Sequence, residues 1–76
     1  MAFDRISVDH RVMGGVPCVA GTRISVSTVV GMLADGSSVA DVLADFPQLS
    51  VEDVLQTLRY AAVAVAEREL PVRLTA

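Results

Sequence analysis

Residues 38–60 read SVADVLADFPQLSVEDVLQTLRY, and the two periodic runs on either side of Pro47 decide the fold. In the first run Val39, Val42, Leu43 and Phe46 recur at i, i+3, i+4 and i+7, the spacing that lines one face of a helix. Ser38 stands where a helix N-cap is wanted, and Pro47 stops the helix. In the second run Ser50 is the cap, and Asp53 three residues on makes a variant of the capping box. That helix is expected to run from Val51 to about Glu69, because Pro71 forbids continuation. Two helices joined by so short a turn have helix-turn-helix proportions.

Working toward the N-terminus, Ser27 is expected to cap a further helix over Thr28 to Asp35, with Gly36 at the position where a left-handed residue closes a helix. The chain changes character near Val26. Before that point, Phe3 to Val8 alternates Ile6 and Val8 against Arg5 and Ser7, which predicts a short strand. Gly14-Gly15 marks a tight turn or a close backbone approach. Pro17-Cys18-Val19 and Arg23-Ile24-Ser25-Val26 flank Ala20-Gly21-Thr22, the pattern of a β-hairpin with a glycine-containing loop. Pro17 cannot donate to a ladder, so it lies on an edge strand or opens one. The expected fold is mostly α, an N-terminal β-hairpin followed by a three-helix, helix-turn-helix unit. We expect one domain over 1–76: strand and hairpin in 1–26, helices in 27–70, a short tail in 71–76.

On a helical wheel of the third helix, Val51, Val54, Leu55, Leu58, Ala61, Ala62 and Val65 share one face, expected to meet the core. Glu52, Gln56, Arg59 and Val63 lie opposite. The polar face ends where Val63 replaces it, and Ala61 to Ala66 is apolar all round with small side chains. A core this small rarely surrounds a helix. Ala62, Val63, Ala66 and, beyond them, Leu70 are therefore the expected dimer or partner interface.

Composition supports self-association. A chain of 76 residues buries only about 60% of its unfolded surface and needs reinforcement from elsewhere. Cys18 is the only cysteine and His10 the only histidine, so neither a disulfide within the chain nor a Cys/His metal site supplies it, and no cofactor is expected. The sequence is 53% hydrophobic but only 4% aromatic, more aliphatic mass than a small monomer hides. No run approaches the roughly 18 uncharged apolar residues of a spanning helix. The N-terminus carries Asp4 and Arg5 with no apolar leader, so the expected location is the cytoplasm. The formal charge of −3 comes from nine acids and six arginines, without a lysine. That balance opposes tight nucleic-acid binding by the chain alone, since phosphate contacts supply most of such affinity.

The chemistry-bearing residues make no catalytic constellation, so the protein is not expected to be an enzyme. His10 reads as a solvated loop histidine and Cys18 as a small buried side chain. Asp41, Asp45 and Asp53 read as solvated charge or as attraction for a basic partner, rather than as magnesium ligands. Arg23, just past the hairpin tip, either ties the hairpin to a carboxylate or carbonyls, or contacts phosphate. If the third helix enters a major groove, Gln56 and Arg59 are the base readers, while Glu52 and Asp53 have the wrong sign beside phosphates. Arg23, Gln56 and Arg59 are thus the candidate DNA contacts.

The segment Gly14-Gly15-Val16-Pro17-Cys18-Val19-Ala20-Gly21-Thr22-Arg23-Ile24-Ser25-Val26, followed by Phe46-Pro47-Gln48-Leu49-Ser50 and Glu52-Asp53-Val54, closely resembles the bacterial "domain of unknown function 433" family, from about Ile6 to Ala66. Cys18 stands where a β-branched residue is usual, and His10 where proline is common. The resemblance implies a homeodomain-like trihelical domain with an N-terminal hairpin, often dimeric. It also implies an antitoxin of the VapBC type, encoded beside a protein similar to PIN-domain ribonucleases, that neutralises this toxin by contact and represses its own promoter. Many antitoxins inhibit with a long C-terminal arm; here the tail from Leu70 to Ala76, or the globular surface, would serve. Two other readings remain alongside: a stand-alone DNA-binding regulator, and a dimeric structural module without nucleic-acid contact.

Overall fold

The computed structural model describes residues 3–11 and 13–67. Among these residues two short strands precede three helices: β1 (Ile6–Ser7), β2 (Cys18–Val19), α1 (Val26–Ala34), α2 (Val39–Asp45) and α3 (Val51–Glu67), with a 3-10 turn at Met13–Gly15. The expected architecture, a hairpin followed by three helices, is present.

The pairing inside the hairpin differs from expectation. β1 pairs antiparallel with β2, Ile6 opposite Val19 and Ser7 opposite Cys18. The stretch around Arg23–Val26 joins from the other side only by an isolated bridge between Cys18 and Ser25, supported by Val19 N–H donating to the Ile24 carbonyl at 2.9 Å and Val26 N–H donating to the Pro17 carbonyl at 2.9 Å. Cys18–Val19 is therefore flanked on both sides, and Pro17 opens the strand without having to donate. The expected strand over Phe3 to Val8 shrinks to two residues. Residues 3–6 form a turn instead, closed by Ile6 N–H on the Phe3 carbonyl at 3.1 Å.

Each helix starts at a serine. α1 begins two residues earlier than expected: Ser25, not Ser27, is its N-cap, and the Ser25 hydroxyl accepts from Thr28 N–H. Ser25 is already fixed by its bridge to Cys18 and is buried, so the hairpin places the cap that starts the helix. α1 ends at Ala34 with Asp35 as its C-cap, and Gly36, whose φ is +100°, turns the chain away. Gly36 N–H donates to the Leu33 carbonyl and Ser37 N–H to the Met32 carbonyl, the paired bonds of a Schellman motif. Ser38 and Asp41 make a reciprocal capping box on α2, and Ser50 and Asp53 do the same for α3, at 2.9 and 3.2 Å. Phe46 closes α2 ahead of Pro47. The expected end of the third helix near Glu69, its stop at Pro71, Leu70 and the tail lie outside the described residues.

α1 packs against both α2 and α3, and β1 against α3. The buried cluster is Val19, Val29, Val42, Leu49 and Val54, with Ile24, Met32, Leu33, Leu43 and Phe46 among the half-buried residues packed around it. α3 is rotated from the expected wheel. Val54 and Thr57 are fully buried, whereas Val51 is 51% exposed and Leu55, Leu58 and Val65 are exposed as well. Thr57 can turn inward because its hydroxyl donates to the Asp53 carbonyl one turn back, at 2.8 Å, and among the described residues no buried side-chain nitrogen or oxygen is left without a partner. The seven residues assigned to one face are in fact two neighbouring stripes, and only the side holding Val54 meets the core.

Candidate interaction surface

The N-terminal turn is lashed to one edge of α3. Phe3 and Tyr60 meet edge to face, centroids 5.3 Å apart. Arg5 N–H donates to Gln56 Oε1 at 2.9 Å, and Gln56 Nε2 donates to Asp4 Oδ1 at 2.7 Å. The Arg5 guanidinium donates to Asp53 Oδ1 at 3.1 Å. Asp53, Gln56 and Tyr60 stand three and four residues apart, so they share the helix face over which this turn lies. Gln56, singled out in the sequence as a base reader, spends both ends of its amide on this tie.

The same contacts set the carboxylates. The Gln56 amide holds the Asp4 carboxyl below its ordinary range. Asp53 feels burial, which opposes its charge, but the Ser50 N–H and hydroxyl and the Arg5 guanidinium outweigh it and keep its pKa low. The Ser38 backbone N–H does the same for Asp41.

Arg23 and Arg59 are exposed, and their guanidinium groups make no hydrogen bond or ion pair with the described residues. The carboxylate tie considered for Arg23 is therefore absent among them. The neighbouring Thr22 holds the loop instead, donating its hydroxyl to the Val19 carbonyl at 2.8 Å and accepting from Ile24 N–H. Arg5 and Arg11 are engaged with Asp53 and Asp9. Asp35, Asp41 and Asp45 are exposed and have no arginine partner among the described residues. His10 is exposed, its ring set over Gly15 so closely that a Cβ there would meet Nδ1 at 2.9 Å. Cys18 is buried, its thiol 3.4 Å from the Val16 carbonyl. No group of three or more metal-ligating side chains comes together among the described residues, and no described helix is long and apolar enough to cross a membrane.

The apolar surface lies on α3. Val51, Leu55, Leu58, Ala62 and Val65 are all exposed and repeat at four- and three-residue steps, which keeps them in one stripe along the helix. Of the residues expected at an interface, Ala62 belongs to this stripe and Ala66 is exposed beside it, Val63 is half-buried, and Leu70 lies outside the described residues. At its C-terminal end the stripe runs through Val65 into an apolar groove of about 300 Å³ lined also by Val16, Pro17, Val30 and Tyr60. The wheel missed the stripe because it merged it with the core face. The core side, through Val54, Thr57, Ala61 and Ala64, repeats at the same alternating steps, so the helical period by itself does not separate the two.

A family model described as "Protein of unknown function (DUF433)" matches residues 6–61. Among solved structures the chain is similar to a DUF433 member protein from Anabaena variabilis ATCC 29413, with a TM-score of 0.79 and 28% identity over 84% of this chain. This chain spans 63% of the length of that one. No curated protein matches the sequence.

Proposed function

This chain belongs to the DUF433 family, and we propose that it acts by binding rather than catalysis, as the antitoxin-type half of a two-protein system that masks a PIN-like ribonuclease. The supporting observation is the unneutralised acid along the end of α1 and on α2. Asp35, Asp41 and Asp45 face solvent without arginine partners among the described residues, while Asp9 and Asp53 are paired. An enzyme that handles RNA needs a basic surface for phosphate, and an acidic edge fits over such a surface and speeds encounter with it. Co-expression with the product of the neighbouring gene, with affinity capture and growth scoring, tests the proposal. A captured complex and rescued growth are expected. Replacing Asp35→Asn and Asp45→Asn together should weaken capture about tenfold at low salt and less at high salt. A folded sample that neither captures nor rescues overturns it.

A second reading, a DNA-binding regulator that represses its own promoter as a dimer, is favoured by Arg23 and Arg59, which are exposed and have no ion partner among the described residues. It is opposed by the net charge of −3 and by Glu52 and Asp53 at the start of α3. It requires salt-dependent binding to the gene's own upstream DNA, and a flat titration removes it.

A further inference from the structure

We propose that the outer stripe of α3 pairs with the same stripe of a second copy, the two helices antiparallel, in the register that sets Val51 opposite the partner's Ala62 and Leu55 opposite the partner's Leu58. This goes beyond the antitoxin reading and does not depend on it.

The stripe Val51-Leu55-Leu58-Ala62-Val65 has the alternating four- and three-residue steps of a coiled-coil seam. It spans the fifteen residues Val51 to Val65 of a continuous helix, about 21 Å from first to last. Every residue of the seam is exposed, Leu55 and Leu58 by somewhat more than a third, although the buried core holds only a handful of aliphatic side chains. A domain so thinly cored gains most from covering such a surface. One flank of the seam carries Val54 and Ala61, which pack toward the chain's own body. The other flank carries Glu52, Arg59 and Ala66, all exposed. Neither Glu52 nor Arg59 has an ion partner among the described residues.

Charge chooses the arrangement. When two seams meet antiparallel, like flanks face each other, so Glu52, Arg59 and Ala66 of one copy meet those of the other. In the proposed register Glu52 lies against the partner's Arg59, and two-fold symmetry repeats the pair. Sliding one heptad along, with Leu55 opposite the partner's Val65 and Leu58 opposite the partner's Ala62, brings Arg59 against the partner's Arg59, a like-charge contact that disfavours that register. A parallel pair sets the charged flank against the partner's body flank and leaves Glu52 and Arg59 without each other. The surface is therefore self-complementary in one way, and a second copy is the occupant it fits. The small Ala62 opposite Val51 lets the helix ends approach closely.

Sedimentation equilibrium of the full chain tests this. A mass of about twice 8.0 kDa is expected at micromolar concentration. Leu58→Glu should give a monomer with unchanged helical circular dichroism, since Leu58 is 38% exposed and outside the core. Glu52→Arg and Arg59→Glu, each alone, should raise the dimer dissociation constant about tenfold. The two together should return it to near the starting value. A monomeric wild type at high concentration overturns the proposal, as does an Arg59→Glu plus Glu52→Arg pair that fails to restore association lost by each alone. Because no toxin is present in this assay, its failure leaves the capture experiment unaffected.

Discussion

Gln56 shows how a side chain's role depends on what lies beside it. In the sequence it is a polar residue near the start of a helix, an apt reader of a base edge. In the fold its carbonyl oxygen accepts from Arg5 and its amide nitrogen donates to Asp4, joining residues 51 and 52 positions apart. Gln56→Ala removes both bonds and leaves Arg5 N–H to water. A loss of about 1 kcal/mol in unfolding free energy is expected, because water replaces a half-exposed hydrogen bond only in part. Thermal denaturation followed by circular dichroism measures it, and an unchanged transition would mean that the N-terminal turn is not held by this tie. Thr57 is the converse case: a polar residue that enters the core because the turn behind it satisfies its hydroxyl.

At the scale of elements, boundaries follow from local chemistry. Ser25, Ser38 and Ser50 each accept from the N–H three residues on, satisfying a donor that the first helical turn leaves open. Gly36 closes α1 at φ +100°. No atom lies within 4 Å of where its Cβ would stand, so Gly36→Ala incurs only the conformational penalty of that backbone region, about 1 kcal/mol. A drop in melting temperature at unchanged native helix content is the expected result. A neutral substitution would show that α1 ends without the Schellman turn.

At the scale of the molecule, three carboxylates with lowered pKa connect the parts. Asp4 reaches α3 through Gln56, Asp41 caps α2, and Asp53 both caps α3 and receives Arg5. All three sit below their ordinary value of 3.8 in the folded protein. The unfolded chain therefore takes up protons first as pH falls, and stability declines with acidification. Their contribution is complete above the ordinary value and disappears as pH falls through the lower folded values. Melting temperatures should hold level from neutral pH to just above that point and fall below it. A transition that rises on acidification would contradict the assignment.

How much of this was legible in the chain depends on the range of the interactions. The serine caps at Ser38 and Ser50, the glycine closing α1, the proline after α2 and the order of hairpin and helices follow from contacts within a few residues, which the sequence carries directly. The family motif fixes the same architecture. Three features depended on long-range packing. Strand pairing across residues 8–17 set β1 against β2 and fixed Ser25, which moved the start of α1 by two residues. The N-terminal turn claimed Gln56. The orientation of α3 determined which of two adjacent apolar stripes was buried, since the helical period gives both the same pattern and only the position of the neighbouring elements separates them. For the candidate surface, the sequence determined that α3 carries more apolar face than a small core needs. Tertiary structure alone decided that the excess is Val51, Leu55, Leu58, Ala62 and Val65, because burial of Val54 and Thr57 turned that stripe outward.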